Sequence, residues 1–225
     1  MTSAETWIRE RVGGQNLSWA DLVSLITYAQ GELGVTADGK PGARTLIRLD
    51  QHIGDDTPGK QLPIPKGRKA THALYGNPTW ERTKGRGVDL DNEWERVHLR
   101  RFTLHTGKVV RLHRLVGAEF VAIFREACEV SGYTPKSVQT FNPRTIGRSQ
   151  RLSMHALGVA ADFDPNDNWL GGVRRRKING RWALTDEPAL MLQNPGFSET
   201  WEKHGWTWGH RWSFVDTHHI QRCSP

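Results

Sequence analysis

The fold is decided in the stretch Ser153-Met154-His155-Ala156-Leu157-Gly158-Val159-Ala160-Ala161-Asp162. His155 and Asp162 are seven positions apart, so they cannot be neighbours on one helical face. Gly158 predicts a turn between them, and the apolar residues 159–163 predict a strand that carries Asp162. A turn followed by a strand can bring this imidazole and this carboxylate together.

A second polar segment, Asp216-Thr217-His218-His219, lies in residues 213–220, which predict a partner strand. Catalytic zinc takes three protein ligands from His, Asp, Glu or Cys and keeps one position for water. The second segment can supply a third ligand to His155 and Asp162. A lone His beside an apolar strand is more often a core residue, so residue types alone leave metal binding and core packing both open.

The composition indicates a globular protein with room for one buried domain and a small module. The chain has 225 residues, of which 36% are hydrophobic and 24% charged. Residues 110–130 predict an amphipathic helix that ends at Gly132 and buries Cys128 as a free thiol. Helices and strands do not alternate regularly, which favours the α+β class.

The formal net charge of +7 predicts attraction to polyanions, either nucleic acid or an anionic bacterial envelope. The sequence has no helix-turn-helix, paired zinc-finger cysteines or RNA-binding signature, so we expect no nucleic-acid partner. The first twenty residues contain no apolar run, which predicts synthesis in the cytoplasm without a signal peptide. Apolar stretches shorter than about 18 residues predict no membrane insertion.

The N-terminal region resembles a peptidoglycan-binding domain of three short helices. The resemblance rests on Gln30, Leu33-Gly34-Val35, Asp38-Gly39 and Thr45-Leu46. It implies wall-binding roles for Gln30, Asp38, Gly39 and Thr45. The alternative is that these residues only mark helices and turns of a small bundle. The predicted organisation is a helical module at 1–55, a Pro/Gly-rich linker at 56–72 and a catalytic domain at 73–225.

The two polar segments, joined by a Trp-rich region, resemble the zinc D-alanyl-D-alanine peptidase family over residues 75–221. That family includes wall carboxypeptidases and the L-alanyl-D-glutamate peptidases of phage endolysins. The resemblance implies a Hedgehog/DD-peptidase-like zinc domain with a small central antiparallel sheet.

The resemblance also implies roles for individual residues. His155, Asp162 and His219 match the zinc ligands, and Asp216 matches the general base. Arg144, in Phe141-Asn142-Pro143-Arg144, matches the catalytic arginine, with Arg148 as the weaker alternative. Ser153 matches a hydroxyl residue that orients the site, although a turn or cap role explains it equally well.

The segment from Trp206 to Trp212 matches a stretch that lines the family's cleft. It implies substrate contacts for Trp208, His210 and Trp212, whereas core packing is the alternative for tryptophan. The family usually has two Gly and an acid where this chain has Gly209-His210-Arg211. His210 and His218 thereby become rival ligands, but His218 is expected to point away from the site if its segment is extended.

The expected function is therefore that of a monomeric zinc metallopeptidase that cleaves the stem peptide of bacterial peptidoglycan. Cleavage at L-Ala-D-Glu, at D-Ala-D-Ala and in the cross-bridge remain alternatives. An endolysin from a bacteriophage would reach the cell wall through a membrane lesion or from the virion, and would be antimicrobial. The rival hypothesis is a non-catalytic wall-binding or virion structural protein that retains the zinc fold.

Overall fold

The structure is a computed structural model that describes Val23, Ile26, Thr27, Gln30, Gly39 and residues 63–224. The chain divides into two units, Met1–Gln61 and Leu62–Pro225. Most of the predicted peptidoglycan-binding-like module, including Asp38 and Thr45, lies outside the described residues.

In the first unit, one contact links two residues that the sequence resemblance singles out. The buried Gln30 side chain accepts a hydrogen bond through Oε1 from the backbone N–H of Gly39, at 2.8 Å. Gly39 has φ +69°, and a Cβ there would lie 2.8 Å from Cγ1 of Val23. Gln30 thus holds a turn that only glycine fits, and its role in wall binding remains a prediction.

The second unit is built from short helices and strands. The helices are α1 (Gly67–Tyr75), α2 (Asn92–His98), α3 (Arg114–Ser131), α4 (Leu190–Gln193) and α5 (Pro195–Lys203). The first strands are β1 (Trp80–Arg82), β2 (Val88–Leu90), β3 (Leu99–Thr103), β4 (Val109–His113) and β5 (Val138–Gln139). The later strands are β6 (Ala160–Phe163), β7 (Val173–Ile178), β8 (Arg181–Pro188), β9 (Thr207–Trp208) and β10 (His219–Gln221). Short 3-10 helices cover Met154–Leu157, Leu170–Gly172 and Gly209–Arg211.

A four-stranded antiparallel sheet in the order β5-β6-β10-β9 carries the polar segments. All four residues of β6 are buried, as the apolar run predicts. Three two-stranded antiparallel sheets, β1-β2, β3-β4 and β7-β8, complete the β structure of the described residues. This mixture agrees with the predicted α+β class and its small antiparallel sheet.

The core lies between this sheet and the helices α3 and α5. Phe120 of α3 packs against Phe163 of β6 and Trp201 of α5, with ring centroids 6.3 and 4.8 Å away. Trp206 adds a further ring 5.6 Å from Phe120. These side chains are almost wholly buried, so the sheet that carries the polar segments rests on a rigid aromatic layer.

The helix predicted at residues 110–130 begins at Arg114, so the prediction was wrong for its first turn. Residues 109–113 form β4 instead, because they pair with β3 in the register Leu99↔His113. His113 then caps α3 by accepting a hydrogen bond through Nδ1 from the N–H of Leu115. Gly132 ends α3 with φ +72°, as predicted.

Two further boundaries differ from the sequence prediction. The linker predicted at 56–72 overlaps α1, because the backbone N–H of Gly67 donates to the carbonyl of Ser224 and fixes the start of that helix. The partner strand predicted at 213–220 is shorter, and only His219–Gln221 pairs with β6. Asp216 begins a turn there, closed by a hydrogen bond from the N–H of His219 to its carbonyl. Within residues 63–224, no helix combines the length and apolar character that a membrane span requires.

Candidate metal centre

His155, Asp162 and His219 converge on one point, although they lie on three different elements. His155 lies in the 3-10 helix Met154–Leu157, which Gly158 ends with φ +69°. The carbonyl of Gly158 accepts a hydrogen bond from the N–H of His113, which holds the turn against β4. Asp162 and His219 face each other across β6 and β10. The predicted turn and strand thus bring the three side chains together.

Hydrogen bonds to the outer ring nitrogens fix how both histidines are presented. Nδ1 of His155 donates to the carbonyl of Thr140 at 2.6 Å, so its Nε2 carries the free lone pair. The side-chain NH2 group of Gln221 donates to the carbonyl of Cys223. This bond turns Oε1 of Gln221 toward His219. That oxygen accepts from Nε2 of His219 at 3.1 Å, so the lone pair of His219 is on Nδ1. These contacts are the orienting shell expected around metal-binding histidines.

The three inner atoms form a small triangle of electron-pair donors. Nε2 of His155 is 3.1 Å from Oδ1 of Asp162 and 3.1 Å from Nδ1 of His219. The third side, from Nδ1 of His219 to Oδ1 of Asp162, measures 2.9 Å. Three acceptors this close repel one another unless a cation balances them. Ligand atoms on a tetrahedral zinc are about 3.3 Å apart for bonds of about 2.0–2.1 Å, so the group fits a zinc-sized ion.

Burial and charge favour the ionised form of the carboxylate. Burial opposes ionisation of Asp162. When protons take the place of a cation on the inner ring nitrogens, the charge of His155 and the hydrogen bonds of His155 and His219 hold the pKa of Asp162 well below its usual range. Burial also disfavours a protonated His219, yet its hydrogen bond to Asp162 and that carboxylate's charge raise its pKa. Both shifts express the same attraction of this pocket for positive charge.

Asp216 lies at the rim of the same pocket, on the turn before β10. Its backbone approaches Gly209 so closely that a Cβ at position 209 would lie 2.5 Å from the carbonyl oxygen of Asp216. Oδ1 of Asp216 lies 3.1 Å from Nε2 of His218, within ion-pair range but without a directed hydrogen bond.

His218 occupies a position that the sequence did not predict. It does not point away from the site, because residues 216–218 form a turn and not a strand. Its Nδ1 donates to the carbonyl of Asn168 at 2.9 Å, and its Nε2 is 4.0 Å from Oδ2 of Asp162. His218 is therefore a neighbour of the triangle, while Nδ1 of His219 is the atom that completes it.

Arg144 and Ser153 line the cleft that opens over the metal centre. Burial lowers the pKa of Arg144, the charges of Asp162 and Asp216 raise it, and Arg86 lowers it. Its guanidinium remains cationic at any working pH and acts on both acids. Ser153 is buried and caps the 3-10 helix by accepting from the N–H of His155, at 3.4 Å. Arg148, the weaker alternative, is exposed and is not among the residues that line this cleft.

Only one of the three residues predicted to contact substrate lines the cleft. Trp212 lines the cleft, with its ring centroid 5.2 Å from that of His219. Trp208 is buried in the core and donates through Nε1 to the carbonyl of Thr217, at 2.8 Å. His210 stacks on Trp208, and its Nδ1 lies 3.2 Å from Oγ1 of Thr217. These placements favour structural roles for Trp208 and His210 over the predicted contacts.

Sequence reasoning missed the residues that orient the histidines. Gln221 could have been found, because it lies two positions after His219 and so shares its face of a strand. The carbonyl of Thr140 carries no side-chain pattern that would reveal it. Asn168 is buried, and its carbonyl orients His218.

Comparison with known proteins adds one similarity. Residues 147–222 match the model of a family described as D-alanyl-D-alanine carboxypeptidase. No curated protein and no solved structure matches the chain. The matched segment contains His155, Asp162, Asp216 and His219, whereas Arg144 lies just before it. The part of the chain that brings His155, Asp162 and His219 together is therefore the part that resembles this carboxypeptidase family.

Proposed function

We propose that this chain is a zinc metallopeptidase of the endolysin type, which hydrolyses peptide bonds in the stem peptide of bacterial peptidoglycan. The observation that carries the proposal is the convergence of three electron-pair donors within 3.1 Å, beside the carboxylate of Asp216 and the guanidinium of Arg144 in one cleft. The three donors leave one position open on a tetrahedral ion, which is typical of catalytic and not of structural zinc. The family similarity of residues 147–222 supports the choice of substrate.

Each residue has a distinct role in the proposed reaction. Bound zinc would supply Lewis acidity, which makes water nucleophilic near neutral pH. Asp216 accepts the proton of the attacking water and can pass it to the leaving amine. Arg144 directs a fixed positive charge at the oxygen on which negative charge develops. Trp212 covers one side of the centre and limits the access of bulk water.

The proposed site of action is the bacterial cell wall. A formal net charge of +7 attracts the protein to an anionic envelope. The N-terminal module would add a second attachment to the same polymer and raise the local concentration of the peptidase.

The proposal is tested by digestion of purified sacculi with the zinc-loaded full chain, followed by mass analysis of the released fragments. We expect soluble fragments whose new termini identify the cleaved bond. A chelator and the Asp216→Asn protein should each abolish release. If the folded, zinc-loaded protein binds sacculi but releases nothing, the proposal is wrong and a non-catalytic wall-binding protein is the better description.

A further inference from the structure

The cleft over the metal centre carries more positive charge than the proposed reaction uses. Its lining includes four arginines, Arg68, Arg86, Arg144 and Arg151, but only two acids, Asp162 and Asp216. Both acids belong to the proposed catalytic machinery. None of the four arginines forms a salt bridge with an acid within residues 63–224. The cleft therefore attracts an anionic ligand, and Arg144 is only part of the reason.

Arg68 is held in the cleft wall by the backbone. It is the second residue of α1, and its side chain is half-buried. Its Nη1 donates to the carbonyl of Leu152 at 3.0 Å. Leu152 directly precedes Ser153, which caps the 3-10 helix of His155. The Arg68 guanidinium is thus fixed beside the segment that presents a proposed metal ligand, and its remaining N–H groups have no hydrogen-bond acceptor within residues 63–224.

Arg151 brings a second guanidinium to the same wall. It lies next to Leu152, in a segment held by a bridge between Thr145 and Leu152 and by a hydrogen bond from the N–H of Ile146 to the carbonyl of Arg151. Burial lowers the pKa of Arg68, and the charge of Arg151 lowers it further. Two like charges that act on each other without a carboxylate between them are stabilised when an anion binds.

We propose that Arg68 and Arg151, the arginine pair, form a carboxylate subsite that is separate from Arg144. The substrate would then be an acidic peptide, with one carboxylate on the arginine pair while its scissile carbonyl faces Arg144. A carboxylate is the favoured anion because the planar guanidinium of arginine binds two carboxylate oxygens side by side. The arginine pair would select for substrate and not take part in bond cleavage.

This inference rests on the proposed function, but binding can be measured without turnover. The probe is a soluble stem peptide with L-Ala-D-Glu and a terminal D-Ala-D-Ala, prepared as the free acid and with each carboxylate separately converted to a carboxamide. Calorimetry would measure binding of the three forms to the zinc-loaded Asp216→Asn chain, with and without Arg68→Gln or Arg151→Gln. Arg148→Gln is the matched control, since it removes an exposed arginine outside the cleft lining.

We expect each substitution in the arginine pair to weaken binding of the free acid on the order of tenfold, as for a partly exposed charged hydrogen bond. One of the two carboxamide forms should bind weakly to the Asp216→Asn chain, and the arginine substitutions should not weaken its binding further. The carboxylate that this form lacks is the one docked on the arginine pair. Arg148→Gln should change nothing. If Arg68→Gln fails to fold because it loses its bond to Leu152, Arg151→Gln carries the same test.

Equal binding of all three peptide forms, or an equal loss for all three in the variants, would overturn the subsite. The proposed function fails by a different result, namely no cleavage of any form by the chain that retains Asp216. Cleavage with unchanged kcat and a raised KM in the arginine variants would support both proposals together.

Discussion

Asp162 and His219 are direct partners across strands β6 and β10, and their Oδ1 and Nδ1 atoms lie 2.9 Å apart. Directly opposed residues of an antiparallel pair project to the same face of the sheet. A slip of one residue would place His218 or Ile220 opposite Asp162 and turn His219 to the other face. The strand register therefore selects which of two adjacent histidines can complete the metal centre.

The first prediction concerns this selection. His155→Ala and His219→Ala should lose the metal, because each removes one of three inner donors. His218→Ala should keep it, since Nε2 of that ring lies 4.0 Å from Oδ2 of Asp162 and is not one of the three inner donors. Metal analysis of the purified proteins gives the answer. Loss of metal from His218→Ala but not from His219→Ala would contradict the assignment.

The second prediction separates metal binding from catalysis. Asp216→Asn should retain zinc, because its carboxylate lies outside the triangle of donors. Turnover of a stem peptide should fall on the order of 10²–10⁴-fold, because an amide cannot accept the proton of water. Near-normal turnover by a folded, zinc-loaded variant would remove Asp216 from the mechanism.

The third prediction tests the hydrogen bond that orients His219. Gln221→Ala removes the acceptor at 3.1 Å from Nε2 of His219, so the ring can rotate and change tautomer. Metal affinity should fall by about 10–100-fold, as measured by competition with a chelator. Gln193→Ala is the control, because Gln193 is exposed and lies far in sequence from His155, Asp162 and His219. It should leave the metal affinity unchanged. Equal affinities in both variants would show that Gln221 does not orient the ligand.

The fourth prediction concerns the turn between the first two ligands. A Cβ at Gly158 would lie 2.7 Å from the backbone nitrogen of His113, which cannot move without breaking β4. Gly158→Ala should lower the free energy of unfolding by about 2–4 kcal/mol, from backbone strain and overpacking together. Gly180→Ala is the control, because Gly180 has a similar φ of +79° with nothing within 4 Å of the added carbon. Urea denaturation should show that Gly180→Ala lowers the free energy of unfolding by about 1–3 kcal/mol less than Gly158→Ala does.

The fifth prediction is a pH dependence of stability that arises at His113. Burial, the charges of His98 and Arg114, and that of Arg100 lower its pKa to about 3, despite its hydrogen bond to the carbonyl of Tyr75. The unfolded chain takes up the proton near pH 6.5. The unfolded state thus binds more protons below that value, and stability is lost as the pH falls from about 6.5 toward 3.

This dependence can be isolated by comparison with His113→Asn, which retains a side chain that caps helices. Between pH 7 and pH 5, the natural chain should lose about 2 kcal/mol more unfolding free energy than the variant. Both proteins are measured with chelator, so that metal release does not contribute. Parallel pH profiles would show that His113 is not the residue responsible.

The residues that carry local chemistry were predictable, while those that depend on tertiary pairing were not. Gly158 as a turn, residues 160–163 as a buried strand and Gly132 as the end of a helix follow from local sequence rules. The helix and strand at residues 109–131 were confused, because β4 is apolar and leads directly into an apolar helix. The pairing of β4 with β3 makes residues 109–113 a strand, and no short window of sequence contains that pairing.

The candidate site shows the same division. The convergence of His155, Asp162 and His219 agrees with the predicted grouping, which rested on spacing and family resemblance. The sequence left a cleft contact and core packing both open for Trp208, since a buried tryptophan and a cleft tryptophan look alike in sequence. Arg68 was missed because tertiary contacts place α1 at the cleft, such as the hydrogen bond from the N–H of Gly67 to the carbonyl of Ser224, and no short window of sequence contains them.

The order of the strands has a consequence for the time at which the proposed metal centre can first form. Strand β10 is the last described strand in the chain, yet it lies inside the sheet, between β6 and β9. A ribosome synthesises β5, β6 and β9 before the strand that must be inserted among them. The nascent chain therefore has His155 and Asp162 but not His219 until its synthesis has passed residue 219, so the third donor of the proposed metal centre is the last to arrive.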